Sequence, residues 1–190
     1  MIHVHRRMVV ENEHLYGPGR RLLLFLQGCS IHCDGCVNRH IWTFEGGEEM
    51  TPETVVTVLL DEKLEGVTLH GGEPLDQADG LLPVVKAVKE AGKTIILFTG
   101  YNKKELNATQ RKVWDAADLV VAGRFVMAKR NVNLQFRGST NQRVYAHKGP
   151  YAHYRVQDGK TSAMITIDSN GEMEINGFFT DDIAALAKNG

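Results

Sequence analysis

The chain has 190 residues, of which 43% are hydrophobic and 24% charged, and a formal net charge of -1. That length suits one domain with a sizeable core, and the composition is that of a soluble globular protein. Near-neutral charge gives no global field to attract nucleic acid, and no apolar run nears the roughly 20 residues that cross a bilayer.

The N-terminal stretch Met1-Ile-His-Val-His-Arg-Arg lacks the apolar h-region and cleavage site of a secretory signal, so a cytoplasmic protein is expected. His3 and His5 form an HxH pair that reads as exposed strand residues. Arg21-Leu-Leu-Leu-Phe-Leu-Gln27 is a continuous apolar run between Gly17-Pro-Gly19 and Gly28, with the length and flanks of a strand buried on both faces. A cysteine-rich loop follows. Thr51-Pro52-Glu53 then reads as a helix start, with the helix running to about Glu62. Gly66–His70 reads as a strand stopped by Gly71-Gly72, and Asp79–Ala91 as an amphipathic helix closed by Gly92. Lys93–Thr99 is the next strand, Lys103–Ala117 the next helix and Asp118–Ala122 a further strand.

Strands alternating with helices predict a parallel sheet with right-handed crossovers. Four such strands before residue 125 are too few for a closed eight-stranded barrel. The expected fold class is therefore α/β, a curved, partial (β/α) barrel with functional loops at the C-terminal strand ends. Residues 124–150 read as a long loop with short elements. Ser162–Asp168 and Glu172–Asn176 flank Ser169-Asn170-Gly171, a hairpin signal, and a short helix from Thr180 or Asp181 to Lys188 is expected to follow. No linker divides the chain, so a single domain over 1–190 is expected.

The three cysteines all fall between positions 29 and 36. An odd number so crowded points to a metal site in a reducing compartment rather than to disulfides. Cys29-Ser-Ile-His-Cys33-Asp-Gly-Cys36 has the spacing CX3CX2C, and three thiolates on one tight loop can bind three corners of a 4Fe–4S cluster. With no fourth cysteine, one iron is left open to something other than protein sulfur. A zinc site completed by His32 or His40, a cluster with a non-cysteine fourth ligand, and three unrelated core thiols are the alternatives. Leu69-His-Gly-Gly-Glu-Pro74 weighs against zinc. Its glycines let a ligand approach the backbone closely, and Glu73 can accept a hydrogen bond from an ammonium group. Alone this is an ordinary turn; paired with CX3CX2C it is specific.

Together the two motifs resemble the radical S-adenosylmethionine (SAM) superfamily. Within it the chain is similar to the glycyl-radical-enzyme activases of anaerobic ribonucleotide reductase. The matching stretches are Tyr16-Gly-Pro-Gly-Arg20, Gln27-Gly-Cys29, Cys36-Val-Asn38, Phe98-Thr-Gly-Tyr101, Val121-Ala-Gly-Arg-Phe125 and Arg137-Gly-Ser-Thr-Asn-Gln142. They make a core of about 16–142, with a C-terminal extension of about 151–190 that has no counterpart in a minimal activase. Val37 stands where the activases often carry Tyr, and Ala122 where an acid is expected.

The resemblance implies that Cys29, Cys33 and Cys36 ligate one 4Fe–4S cluster and that Gly35, Cys36, Val37 and Gly72 lie against SAM. Gly71, Glu73 and Pro74 would complete the wall around its methionine end, with Thr99, Gly100 and Tyr101 on the same rim. Arg137 and Asn141 belong to the activase-like signature without an assigned role. The implied activity is that of a radical SAM oxidoreductase. A one-electron donor such as flavodoxin or ferredoxin reduces the cluster, SAM is cleaved to methionine and a 5′-deoxyadenosyl radical, and the radical takes a hydrogen atom from a glycine of a partner glycyl radical enzyme. Such chemistry requires no general base, and none is visible. Two other readings stand beside it: a radical SAM enzyme acting on a peptide or small molecule, with 151–190 as its cover, and a zinc-binding or electron-transfer module.

Overall fold

The computed structural model describes residues 1–146, 149–167, 170–171 and 173–178. Along the chain run β1 (Ile2–Val10), a helical turn α1 (Glu13–Tyr16), β2 (Arg21–Leu26), β3 (Glu48–Met50), α2 (Pro52–Asp61), β4 (Gly66–Gly71) and α3 (Ala78–Glu90). They are followed by β5 (Thr94–Thr99), α4 (Ala108–Ala116), β6 (Leu119–Ala122), β7 (Arg143–Ala146), β8 (Ser162–Ile167) and β9 (Met173–Phe178). Seven strands form one sheet in the order β3-β1-β2-β4-β5-β6-β7, and β8 and β9 form a separate antiparallel hairpin.

The centre of the sheet is parallel. Leu24 of β2 lies opposite Leu69 of β4, Leu69 opposite Leu97 of β5, and Leu97 opposite Val120 of β6. Every residue of β2 is buried, as a strand covered on both faces requires. Because successive side chains point to opposite faces, the four strands sort their apolar residues into two layers. Leu22, Leu24, Leu26, Val67, Leu69, Ile95, Leu97 and Val120 join the buried faces of α2, α3 and α4 in the main core. Leu23, Phe25, Ile96, Phe98 and Val121 face the other way and are covered by Tyr16, Ile41, Phe136 and Tyr151, with Met164 of the hairpin packed alongside. Helices therefore seal one face, while loops and the hairpin cover the other.

Local chemistry sets the element ends. The Thr51 side chain accepts from the Thr54 N–H and Pro52 takes the first turn of α2. The helix expected over Lys103–Ala117 is instead a short helical turn, Lys103–Glu105, and then α4. Each starts with its own capping box, Asn102 with Glu105 and Asn107 with Gln110, and Leu106 between the two elements is extended. The four expected parallel strands form as β2, β4, β5 and β6, and two further strands precede residue 125. The additions, β1 and β3, run antiparallel to their neighbours, and neither follows the apolar-run pattern of the parallel strands. β1 carries His3, His5 and Arg7 on an exposed face, and β3 has three residues. Within the expected loop 124–150, β7 pairs antiparallel with β6 at the far edge. The hairpin forms over Ser162–Ile167 and Met173–Phe178. The helix expected from Thr180 or Asp181 to Lys188 lies outside the described residues. Among the described residues no helix is long and apolar enough to cross a membrane.

Arg21 ties the N-terminal ends of the parallel strands. It is fully buried, and its guanidinium donates to Thr68 Oγ1 (2.9 Å), the Val67 carbonyl (2.8 Å), Thr94 Oγ1 (2.9 Å) and the Tyr151 hydroxyl (2.9 Å). A guanidinium has the five fixed donors this needs, and removing it strands several buried acceptors at once. We expect R21M to lower unfolding stability by about 3 kcal/mol, and Y151F by about 1 kcal/mol, in denaturant titrations. An R21M protein as stable as the parent would refute this role.

Candidate active site

The end of β2 sets the cysteine loop. The N–H groups of Gly28 and Cys29 donate to the carbonyls of Ile41 (2.9 Å) and Trp42 (3.0 Å), closing residues 29–41 into a loop. Inside it, His32 (φ 50°) and Gly35 (φ 73°) supply left-handed turns, and the Cys36 N–H donates to the Cys33 carbonyl (3.1 Å). The His32 ring stacks on Trp42 with centroids 4.5 Å apart. Cys29 is buried, Cys33 and Cys36 are half-buried, and all three are free thiols. Burial pushes the Cys29 and Cys33 thiols up, while backbone groups of His32 and Ile31 beside Cys29, and of Phe125 beside Cys33, work in favour of thiolate.

The loop after β4 packs directly onto this one. Gly72 N–H donates to the Leu26 carbonyl (2.9 Å) and Glu73 N–H to the Gly28 carbonyl (2.8 Å). A Cβ at position 72 would sit 1.9 Å from the Gly28 oxygen, so any other residue there must displace backbone. Glu73 is 1% exposed. Its Oε1 accepts from the Leu75 N–H (2.9 Å) and Thr99 Oγ1 (2.7 Å), and its Oε2 from the Gly100 N–H (2.7 Å), which joins the ends of β4 and β5. Burial pushes this carboxyl up to about 7, against the pull of those three donors. His70 lies among the rings of Tyr16, Phe25 and Phe98, and burial pushes it down to about 4. Its Nδ1 accepts from the Gly71 N–H (2.7 Å), which leaves the proton of the neutral ring on Nε2.

A cavity of about 610 Å³ opens between these loops on the sheet face away from the helices. Cys29, Cys33, Cys36, Gly35 and Val37 line one side, and Gly71, Gly72, Glu73, Thr99 and Gly100 another. Two expected residues are elsewhere. Pro74 is buried outside the lining, and the Tyr101 hydroxyl turns to Asp76 Oδ1 (2.8 Å) and Ser30 Oγ (3.0 Å). Sequence reasoning missed Phe98, Val121, Met127, Arg130 and Phe136 of the lining, and Gly177, which reaches the cavity from β9. The first two alternate with Leu97 and Val120 and could have been read from strand parity; the others come from segments with no periodic signal.

The activase-like signature is tied to the neighbouring backbone by hydrogen bonds, and Gln142 also lines the cavity. Gln142 Oε1 accepts from the N–H groups of Gly138 (2.8 Å) and Ser139 (3.1 Å), and its Nε2 donates to the Gly123 carbonyl (2.8 Å). Asn141 Nδ2 donates to the Arg124 carbonyl (2.9 Å). Arg137 forks onto Asp158 (2.7 and 2.6 Å). Together these bonds fold residues 123–142 back over the C-terminal end of β6.

The donor set fits an iron–sulfur cluster. Soft thiols line the cavity, and its volume is in the range of cofactor sites. His32 and His40, the zinc alternatives, are outside the lining, His32 against Trp42 and His40 against His5. Among the described residues no group of three or more His, Cys, Asp or Glu side chains is gathered as a site for one metal ion.

Comparison with known proteins accords with this chemistry. Residues 15–145 match the family model described as a 4Fe–4S single cluster domain. A protein of Escherichia coli named anaerobic ribonucleoside-triphosphate reductase-activating protein is 36% identical over 138 residues, covering 68% of this chain and 90% of that protein. Proteins of the same name from Haemophilus influenzae (34% over 141 residues, 70% and 91% covered) and Vibrio cholerae (34% over 138 residues, 68% and 89% covered) are also similar. Among solved structures, QueE from Escherichia coli matches with a TM-score of 0.44 and 20% identity over 52% of each chain.

The buried carboxyl and imidazole give the metal-free protein a distinctive response to pH. Glu73, raised when folded, adds stability below its ordinary value of 4.5 that is lost as pH rises through about 7. His70, lowered when folded, adds stability above 6.5 that is lost as pH falls toward about 4. The two slopes oppose each other, so the parent hides both. The stability difference between parent and E73Q should shrink by on the order of 3 kcal/mol as pH rises from 4.5 to about 7. A difference that holds constant with pH would place Glu73 in a more polar setting than this.

Proposed function

The chain belongs to the 4Fe–4S single cluster domain family and, within it, with the anaerobic ribonucleoside-triphosphate reductase-activating proteins, and we propose that it is a radical SAM activase of a glycyl radical enzyme. When bound, the cluster and SAM supply a one-electron reductive cleavage that yields methionine and a 5′-deoxyadenosyl radical able to take hydrogen from carbon. The protein's part is to hold, orient and shield.

In this reading Cys29, Cys33 and Cys36 hold one cluster by three corners. The observation that carries it is that the three thiols and the Gly71-Gly72-Glu73 edge line the same cavity. Gly72, packed on Gly28, keeps bare backbone at the wall where the methionine end of SAM would lie. Glu73 Oε2 accepts from Gly100 and has acceptor capacity left for an ammonium group. Gly35 and Val37 border the same space from the cysteine side, with Thr99 and Gly100 opposite. We take the curved sheet as a partial (β/α) barrel, with residues 16–142 as the working core of one domain. A flavodoxin or ferredoxin in the cytoplasm is the proposed electron source.

The rim supports a protein substrate. Val37 is 71% exposed and Met127 49% exposed beside the opening, apolar surface that a docking protein can cover. One observation favours the second reading, an enzyme acting on a peptide or small molecule: β9 lies beyond the family match and brings Gly177 to the cavity.

The decisive assay mixes the anaerobically reconstituted and reduced protein with SAM and an anaerobic ribonucleotide reductase, and follows the glycyl radical by electron paramagnetic resonance (EPR). We expect a glycyl doublet on the partner and its loss with C29A, C33A or C36A. Formation of 5′-deoxyadenosine without any radical on the partner would favour the second reading.

A further inference from the structure

Asp76 has no place in the proposed chemistry, yet it grips the cysteine loop. We infer that Asp76 is a positioning residue: it fastens the Cys29 end of the loop and keeps a fixed negative charge there that holds the cluster's reduction potential low. This rests on the cluster site proposed above.

Asp76 sits in the short helical turn Pro74–Gln77, directly after the Gly-Gly-Glu edge. Its Oδ2 accepts from the Ser30 N–H (2.7 Å), and its Oδ1 from Ser30 Oγ (2.9 Å) and the Tyr101 hydroxyl (2.8 Å). The two hydroxyls are themselves 3.0 Å apart. Three donors converging on one carboxyl are what an ionised, acceptor-only carboxylate binds. Tyr101 is the residue that follows the β5 end and Gly100, so this latch joins the cysteine loop to the same two strand ends that Glu73 joins from beneath.

Two consequences act in the same direction on a cluster held by Cys29. The Ser30 nitrogen is bonded to the Cys29 carbonyl carbon, so the charge lies one peptide unit from a proposed ligand. A negative charge so close opposes the addition of an electron and lowers the potential. The Ser30 N–H is also committed to Asp76, and hydrogen bonds to cluster sulfur are among the influences that tune potential. Replacing the carboxylate by an amide removes the charge and weakens the hold on that N–H, and both changes make reduction easier. A cluster that is too easily reduced is a weaker donor to a sulfonium.

The test uses the full-length protein, reconstituted without oxygen, in a redox titration followed by EPR, with iron retention against a chelator measured in parallel. Melting of the metal-free proteins checks folding. D76N should still take up a cluster, with its potential shifted to more positive values and its iron lost faster than the parent's. S30A and Y101F keep the charge, so their potentials should stay near the parent's while iron retention falls by roughly tenfold, the low end of the scale for groups that orient ligands. Parent potential and parent retention in D76N would overturn the inference. Should D76N take up no cluster, unchanged retention in both S30A and Y101F would overturn it instead. A parent protein that binds no cluster would sink the proposed function itself, which is a separate outcome.

Discussion

The site depends on one close approach of backbone to backbone. Gly72 rests on the Gly28 carbonyl so tightly that no side chain fits between them. Hydrogen bonds from Gly72 and Glu73 to Leu26 and Gly28 fix the separation. Gly28 immediately precedes Cys29, so this contact sets where the cysteine loop leaves the sheet. Glu73, buried just beyond, carries the constraint to the end of β5 through Thr99 and Gly100. A carboxyl buried among apolar neighbours is costly to ionise. Here that cost buys a rigid junction of three strand ends on which the proposed ligands are hung.

The two faces of the sheet divide the labour. Helices α2, α3 and α4 bury one face in a continuous apolar core, which gives the parallel strands their stability. The other face is closed by loops and by the hairpin, and this less regular cover leaves room for the cavity. Arg21 secures the N-terminal strand ends with polar bonds, and Glu73 does the same at the C-terminal ends. Both are single buried side chains serving several acceptors or donors at once, so each position tolerates few substitutes.

Much of this was legible in the sequence because it rests on short-range rules. Apolar runs marked β2, β4, β5 and β6, and caps and glycines marked α2 and α3. The CX3CX2C loop and the Gly-Gly-Glu edge identified the two walls that the fold brings together. What was not legible depends on long-range pairing. β1 and β3 join the sheet antiparallel with polar outward faces. β7 is recognisable only from its partner β6. Tyr101 follows the end of β5 as expected, but its hydroxyl bonds to Asp76 and Ser30, partners that no sequence pattern indicates. Arg137, Asn141 and Gln142 stand out as a motif, but the hydrogen bonds by which they fold the chain on itself are visible only in the structure.

A three-cysteine cluster with one iron open to SAM is tested most directly by EPR of the reconstituted, reduced protein with and without SAM. A reduced 4Fe–4S signal should appear and change shape when SAM is added, with 5′-deoxyadenosine formed on turnover. A cluster signal indifferent to SAM, or stoichiometric zinc in place of a cluster, would contradict it.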